Sequence, residues 1–330
     1  MARCIASSTL GTPPDTYLYS LAQAGSTFAT IGSDDTLRLF DISLNPLRKV
    51  SSAHAGLSCL TSFASGFATA GRDSLIRTWD TRAQRSNIQL SDPRGAGISS
   101  IACHDNLIAA GTESIKEGLG EVSVLLFDTR NPGAPVRSYV ESHTDSITQL
   151  AFHPSQPSVL LSGSTDGLVS LFDLNIEEEE DALQQVLNPR SAVHCAGFLS
   201  PSQVYVVTTD EHFSIHSLSE NGTGDSSSVL NIGDVRERLQ CSYVVDLIPG
   251  PQPVLVCGHN VNQTLSIVQL DGEKGWGFGS AIDLPGAHGE EIVRDVMVLE
   301  REKKAMSCGE DGRVKVWDLA SAVPRAPGSG

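Results

Sequence analysis

The feature of this sequence that most constrains the fold is a short template that recurs along the whole chain. Each copy has an apolar run, a small residue followed by Gly, a polar turn with Asp, and a second apolar run ending in an aromatic residue and Asp. Repetition of this kind predicts a repeat architecture in which each copy is one supersecondary unit. The clearest copies occupy residues 28–41, 67–80, 159–173 and 305–318, and weaker copies occupy 107–128, 204–218 and 254–270.

The spacing and the alternation of the copies indicate the type of unit. The aromatic-Asp position of each copy, or its equivalent, falls at residues 41, 80, 128, 173, 217, 269 and 318, so the copies follow one another at intervals of 39 to 52 residues. Within them, apolar and polar residues alternate with a period of two, which is typical of β-strands. A further strand-like segment, such as 147–154, precedes the clearer copies. Four short strands in each of seven units predict an all-β fold, a seven-bladed β-propeller.

In their spacing and their closing aromatic-Asp pair, these copies resemble WD40 repeats. The resemblance implies a ring closed by the N-terminal strand, residues 3–10, which would complete the last blade and remove a free sheet edge. We therefore expect residues 1–320 to form a single seven-bladed WD40 propeller and residues 321–330 to form a flexible C-terminal tail. A narrower resemblance, to the WD repeat-containing protein 89 family, rests on residues 110–114, 142–183, 231–237 and 308–317. It implies an interaction module in the nucleus or the cytoplasm, without a catalytic site to carry over, although the loop 272–279 departs from that family.

Ser or Thr, His and Asp recur at similar spacing in three of the copies. Taken alone, these residue types suggest nucleophilic catalysis, which needs a hydroxyl, a base and an orienting acid within hydrogen-bond reach. Their recurrence favours structure, because an active site is normally built once. The resemblance to WD40 repeats implies a buried network, or tetrad, that joins Asp, His, the hydroxyl and a Trp indole. The three sets are His54, Thr69, Asp73 and Trp79; His143, Ser162 and Asp166, with Phe172 in place of Trp; and His288, Ser307, Asp311 and Trp317.

Two other copies lack parts of this network. The first has Thr30 and Asp34 but no upstream His, and the fifth has Val206 where the hydroxyl should stand. We expect these blades to depend on apolar packing. No cofactor and no metal site is predicted, because the sequence contains neither a dinucleotide-binding GxGxxG motif nor a cluster with the spacing of metal ligands.

The net charge of the chain bears on its partners. Thirty-nine acids against 23 bases give a formal charge of −16, which disfavours direct nucleic-acid binding because that binding depends on Lys and Arg neutralising phosphates. It favours basic protein partners, or solubility alone. Seven widely spaced cysteines indicate a reducing compartment. The absence of a long apolar segment predicts no membrane association, so the protein is expected to be nuclear, cytoplasmic or both.

Residues beside the tetrads are the predicted partner-binding set, on the face of the propeller that carries the tetrad loops. Most of them are acidic, which suits Lys- or Arg-rich segments, although exposed turns are commonly polar without any partner. Two loops that the fold does not require, 112–121 and 231–238, are further candidates. The predicted set is Asp35, Arg72, Asp145, Glu211, Asp234, Arg236, Glu290, Glu291 and Glu310.

These observations predict a non-catalytic scaffold or escort, a monomeric propeller within a larger complex. Its basic partner could be a ribosomal protein, a histone or another complex subunit, and ribosome biogenesis is one process in which such an escort would act. The alternative is a propeller hydrolase using carboxylates such as Asp145, Asp295 or Glu291. The acidic run Glu177 to Asp181 is expected to be a solvated turn between two strands, with a binding ledge as its alternative.

Overall fold

A computed structural model describes residues 1–81, 86–115, 120–218, 229–272 and 275–326. Within these residues, 28 strands form seven four-stranded sheets. The strand pairs whose register is described are antiparallel. This is a seven-bladed β-propeller, so the predicted fold class is confirmed. The chain divides into two compact units: a terminal unit, Met1–Ala53 with Asp234–Gly330, and a central unit, His54–Gly233.

The terminal unit contains blades 1, 6 and 7. The strands of blade 1 are β2 (Leu18–Ala24), β3 (Thr27–Gly32), β4 (Leu37–Phe40) and β5 (Pro46–Val50). Helix α2 (Arg236–Leu239) precedes blade 6, which has β22 (Tyr243–Ile248), β23 (Val254–His259), β24 (Thr264–Asp271) and β25 (Gly277–Pro285). Blade 7 combines β1 (Arg3–Ser8) with β26 (Val293–Leu299), β27 (Lys304–Gly309) and β28 (Val314–Asp318).

The central unit contains blades 2 to 5. Blade 2 has β6 (Leu57–Phe63), β7 (Gly66–Gly71), β8 (Leu75–Asp80) and β9 (Ser86–Ser91), and blade 3 has β10 (Ile98–His104), β11 (Leu107–Thr112), β12 (Val124–Asp128) and β13 (Arg137–Tyr139). Blade 4 has β14 (Ile147–Phe152), β15 (Val159–Ser164), β16 (Val169–Asp173), helix α1 (Glu179–Ala182) and β17 (Leu183–Leu187). Blade 5 has β18 (Val193–Ser200), β19 (Gln203–Thr208), β20 (His212–Ser217) and β21 (Val229–Asp234).

The N-terminal strand closes the fold, as predicted. Strand β1 pairs with β28, with Cys4 opposite Trp317 and Ser8 opposite Val314. The same blade therefore contains both ends of the propeller, and strand pairing covers an edge that would otherwise be open.

Burial follows the order of the strands in each blade. The second strand is almost wholly buried, as in β7, where all six residues are buried, because it has neighbours on both edges and on both faces. The outermost strand alternates between exposed and half-buried residues, as in β17. Long apolar runs in the sequence therefore mark second strands.

The first strand of every blade carries a register shift near its start, which the sequence did not reveal. In blades 2 to 4 the residue at the shift is a hydroxyl residue that donates to a backbone carbonyl of the following blade. Ser58 donates to the Ile98 carbonyl at 2.6 Å, Ser99 to that of Ile147 at 2.7 Å, and Thr148 to that of Val193 at 2.9 Å. We call these three contacts the hydroxyl ladder.

The segment after residue 320, which the sequence predicted to be flexible, is attached to blade 6 as far as Arg325. The backbone N–H of Arg325 donates to the carbonyl of Ala281 at 2.8 Å, and the reverse bond is 3.0 Å long. The Arg325 Nε–H also donates to both carboxylate oxygens of Asp283, at 3.0 and 2.9 Å. A backbone pairing and a partly buried ion pair link Arg325 to blade 6, and residues 327–330 lie outside the described part of the chain.

Candidate functional site

The tetrad residues of blade 2 lie together between the loop before β6 and the turn between β7 and β8. The His54 ring nitrogens lie 2.9 Å from Asp73 Oδ1 and 2.8 Å from Thr69 Oγ1, and the Trp79 indole donates to Thr69 Oγ1 at 2.8 Å. With a neutral His54 ring, Nδ1–H donates to Asp73, because a carboxylate only accepts, and Nε2 accepts the hydrogen of the Thr69 hydroxyl, whose oxygen accepts the indole N–H. Every polar hydrogen of the set thus has an acceptor with His54 neutral.

Blade 7 repeats this arrangement with a Ser hydroxyl. His288 Nδ1 lies 2.6 Å from Asp311, His288 Nε2 lies 2.8 Å from Ser307 Oγ, and the Trp317 indole donates to Ser307 Oγ at 3.0 Å. Burial is the largest single influence and alone would raise the pKa of Asp311, but the hydrogen bonds from His288 and the Arg313 N–H, together with the charges of His288 and Lys315, hold that pKa below its ordinary value. Ser307 and Trp317 are at most 1% exposed, so these groups have no access to solvent as an alternative partner.

Blade 4 has the network without the indole. His143 Nδ1 lies 3.0 Å from Asp166 and its Nε2 lies 2.7 Å from Ser162 Oγ. Phe172 takes the Trp position and stacks on Tyr139 of blade 3, with ring centroids 4.6 Å apart. Here the network has one buried donor fewer to satisfy than in blades 2 and 7.

The small-Gly element of the template makes room for the tetrad His. A Cβ placed on Gly71 would lie 2.7 Å from His54 Cβ, and one on Gly309 would lie 3.1 Å from His288 Nδ1. These distances are shorter than carbon atoms tolerate without movement. The tetrad His side chains are therefore packed tightly against these glycines, and the hydroxyl residues Thr69, Ser162 and Ser307 are fully buried.

Blade 1 replaces the missing His with a buried Arg, and this corrects the expectation that it depends on apolar packing alone. Arg38 is 2% exposed, and its guanidinium pairs with the carboxylate of Asp34 through two bonds, one of them 2.9 Å long. Although burial alone would raise the pKa of Asp34, the hydrogen bond and charge of Arg38 hold it below its ordinary value. The signal for this was in the sequence: Asp is followed by a base four residues later at Arg38, Arg77 and Lys315.

Blade 5 also keeps a buried polar pair. His216, at the position of the tetrad Trp, lies 2.9 Å from the Ser214 hydroxyl through its Nε2. Burial lowers the pKa of His216, which favours the neutral ring that such a site can accommodate.

The acidic run is divided between a structural residue and solvated ones. Glu179 is half-buried, and its carboxylate accepts the backbone N–H groups of Val140, Glu141 and Ser142 at 2.6, 2.9 and 2.9 Å. It also accepts the Ser142 hydroxyl at 2.6 Å. Successive backbone N–H groups form a concavity that binds anions, and here the anion comes from the same chain.

This contact, which we call the Glu179 clamp, fastens the segment immediately before His143 of blade 4. The expectation of a solvated turn therefore fails at Glu179, while Glu177, Glu178, Glu180 and Asp181 are exposed as expected. Sequence reasoning missed it because the partners of Glu179 are backbone groups nearly 40 residues away.

In the terminal unit, the predicted partner-binding residues differ in how their charge is balanced. Glu290 and Glu291 are exposed and lie two and three residues after His288. Glu310 is mostly buried and pairs with Arg294, whose Nε–H donates to it at 2.8 Å. The negative charge in this loop region therefore comes chiefly from Glu290 and Glu291.

The other members of the set in this unit belong to turns and to the last strand of blade 5. Asp35 is half-buried in its turn, with a φ of +54°. Asp234 pairs with Arg236 at 2.6 Å, and both are exposed. The segment 231–238 was expected to be a loop, but its first half belongs to β21 and its second half contains α2.

In the central unit, the predicted set is Arg72, Asp145 and Glu211. Arg72 is exposed and pairs with Glu113 at 3.2 Å. Asp145 and Glu211 are half-buried, and Asp145 Oδ1 accepts the N–H of Ser146 at 2.7 Å. Of the loop 112–121, residues 116–119 lie outside the described residues, but the Gly120 N–H donates to the Thr144 carbonyl at 3.2 Å.

The carboxylates considered for hydrolysis have other partners or stand in solvent. Asp295 Oδ2 accepts the Leu21 N–H at 2.7 Å and the Ser20 hydroxyl at 3.2 Å, which joins blade 7 to blade 1. Burial raises the pKa of Asp295 to about 6. Asp145 caps its own turn and Glu291 is exposed, so the geometry lends no support to the hydrolase alternative.

Two absences concern only the part of the chain that the structure describes. There, no cluster of three or more His, Cys, Asp or Glu residues is arranged to hold a metal ion. Each helix in those same ranges is too short and too polar to cross a membrane.

Comparison with known proteins places this geometry among repeat proteins. The family model described as WD domain, G-beta repeat matches residues 133–173 and 284–318, which cover much of blades 4 and 7. A WD repeat-containing protein of Saccharomyces cerevisiae is 33% identical over 298 residues, 87% of this chain and 74% of its own length. One of Schizosaccharomyces pombe is 30% identical over 317 residues, 91% of this chain and 95% of its own length. The WD repeat-containing protein 89 homolog of Dictyostelium discoideum is 27% identical over 195 residues, 58% of this chain and 51% of its own length.

Proposed function

Because the chain belongs to the family of WD repeat-containing proteins, we propose that it is a non-catalytic interaction scaffold or escort that binds basic protein segments. Proteins with WD repeats generally serve as rigid platforms for other proteins, and their sites lie on loops. The partner would be a Lys- or Arg-rich segment of a ribosomal protein, a histone or another complex subunit. The propeller would act as a monomer within a larger assembly in the nucleus, the cytoplasm or both.

The observation that carries this proposal is the pair of exposed carboxylates, Glu290 and Glu291, beside an immobilised His288. A loop fixed by a buried network loses little conformational entropy when a partner binds, which favours affinity. Exposed carboxylates of one sign attract a basic segment during encounter and set its register. The net charge of −16 adds long-range attraction for such a partner.

The proposal is tested by affinity purification and mass spectrometry at low and high salt. We expect highly basic proteins to be recovered with the wild-type protein at about 50 mM salt and to be lost at about 500 mM, where the screening length falls below 5 Å. The double variant Glu290→Gln/Glu291→Gln should lose most of this recovery. The matched control, Glu177→Gln/Glu178→Gln, removes the same charge from the exposed acidic run and should retain it.

Two results would contradict the proposal. Recovery that is insensitive to salt would indicate an apolar contact surface in place of an electrostatic one. Equal loss of basic partners in both double variants would show that net charge, and not the loop after His288, determines binding.

A further inference from the structure

A groove between blades 6 and 7 of the terminal unit has the features of a second binding surface. Two adjoining cavities, of about 620 and 610 Å³, share Pro251, Gln252, Val254, Val298, Leu299 and Glu300. Because the two cavities share these residues, together we call them the blade 6–7 groove. The turn residues 249–252 of blade 6 and 300–303 of blade 7 line it, and Gln23 and Gly25 of blade 1 also line the first cavity.

The floor of the groove is the outer side of the hydrophobic core. Val254, Ile282, Val298 and Leu319 are half-buried, and each packs against the buried core cluster of blades 6 and 7 while it also lines the groove. When a partner covers contiguous apolar side chains that are partly exposed, the removal of apolar surface from water lowers the free energy and favours binding. An apolar segment is therefore favoured on this floor.

The charged side chain that the two cavities share is acidic. Of the four charged residues in the turn 300–303, Glu300 alone lines both cavities, whereas Arg301, Glu302 and Lys303 each line one. The turn is held by the Lys303 N–H, which donates to the Glu300 carbonyl at 3.2 Å, and by the Leu319 N–H, which donates to the Lys303 carbonyl at 2.9 Å. Across the described ranges, no ion pair involves Glu300.

We propose that the blade 6–7 groove binds an extended segment of a partner protein, in which apolar residues flank one Lys or Arg that pairs with Glu300. Extended segments suit an open groove with pockets for alternate side chains. The proposal adds a second surface to the proposed function. Strand β26 separates the two surfaces, because it begins just after the loop of Glu290 and Glu291 and ends at Leu299, directly before Glu300, so that the two ends lie about 20 Å apart by strand geometry.

The test is a selection of random 12-residue displayed peptides on the wild-type protein, followed by affinity measurements for the enriched peptides. We expect a class of peptides with one basic residue between apolar residues. The variant Glu300→Gln should weaken their binding at least about fivefold, and the variant Glu291→Gln should leave it unchanged. Both changes are at exposed residues, so circular dichroism should show the same fold in all three proteins.

The outcomes separate this groove from the surface near His288. Peptides that lose affinity through Glu291→Gln and not through Glu300→Gln would overturn the groove and leave the proposed function intact. Failure to enrich any class sensitive to Glu300→Gln would also overturn it. Self-association of the wild-type protein that Glu300→Gln abolishes would show that the groove takes a second copy of this chain, which contradicts the proposed partner.

Discussion

The contrast between blades 7 and 4 gives a sharp test of the tetrad network. Ser307 accepts a hydrogen bond from the Trp317 indole and lies against His288, whereas Ser162 has only His143 as a partner because Phe172 replaces the Trp. The same substitution, Ser→Ala, therefore removes different numbers of contacts in the two blades. The difference between the two losses in the free energy of unfolding measures the contribution of the hydrogen bond from the Trp317 indole.

The magnitude follows from the groups left without partners. Ser307→Ala leaves the indole N–H of Trp317 and Nε2 of His288 buried and unpaired, and each such group costs about 1 to 3 kcal/mol. Two such groups give an expected loss of about 2 to 6 kcal/mol. Ser162→Ala leaves only one such group, so we expect about half of that loss, about 1 to 3 kcal/mol.

The assay is equilibrium unfolding in urea followed by far-ultraviolet circular dichroism, which does not depend on the Trp that is later replaced. A third variant, Trp317→Phe, converts blade 7 to the composition of blade 4. In that background, the cost of Ser307→Ala should fall to that of Ser162→Ala, because the donor that would be left unpaired is gone. The double-mutant cycle then measures the coupling between hydroxyl and indole.

Equal costs for Ser307→Ala and Ser162→Ala would refute this reasoning. So would a Ser307→Ala cost that is the same with Trp and with Phe at position 317. Either result would mean that the hydroxyl contributes through packing alone and that the buried N–H of Trp317 does not need an acceptor.

Three further predictions concern charged residues that the fold has placed in unusual surroundings. Burial raises the Asp295 pKa to about 6, so near pH 5 the native state holds a proton that the unfolded chain has released, and the wild-type free energy of unfolding should fall by about 1 to 1.5 kcal/mol between pH 5 and 7.5. Asp295→Asn should remove this fall, and an unchanged slope in the variant would contradict the prediction. Glu179→Gln should speed hydrogen exchange at the Val140 and Ser142 amides by about tenfold, since a neutral amide accepts more weakly than a carboxylate, whereas the neighbouring Glu178→Gln should leave exchange as it is. Arg38→Met should destabilise by about 3 to 5 kcal/mol at neutral pH by leaving Asp34 partly buried without its partner, and a melting temperature equal to that of the wild type would show that the ion pair is dispensable.

The repeat template was sufficient to predict the fold class. Aromatic-Asp endings and second strands that are continuously apolar recur because each blade buries the same positions, so the number of sheets could be predicted from local sequence. The closing strand and the tetrads were implied by the resemblance to WD40 repeats, which the recurrence of His, hydroxyl and Asp in three blades supports. In these cases local sequence and tertiary packing agree.

The features that the sequence did not reveal depend on partners far along the chain or on departures from the template. Arg38 stands at an alternating polar position, which is typical of a solvent-facing side chain, but it is buried and its guanidinium pairs with Asp34 in a blade that has no tetrad His. Glu179 binds backbone N–H groups, which every sequence contains, so no residue type marks its partner. The blade 6–7 groove depends on the relative position of two turns that lie about 50 residues apart in the chain.

The hydroxyl ladder bears on how the blades of the central unit could be exchanged. Ser58, Ser99 and Thr148 each donate a hydroxyl hydrogen bond to an equivalent backbone carbonyl of the next blade, so the contacts between these neighbouring blades are equivalent. A chimera that duplicates blade 3 in place of blade 4 would keep its donor at the correct place. A copy of blade 6 in place of blade 4 would bring Val245 to the position of Thr148, and the Val193 carbonyl of blade 5 would then lose its hydroxyl donor.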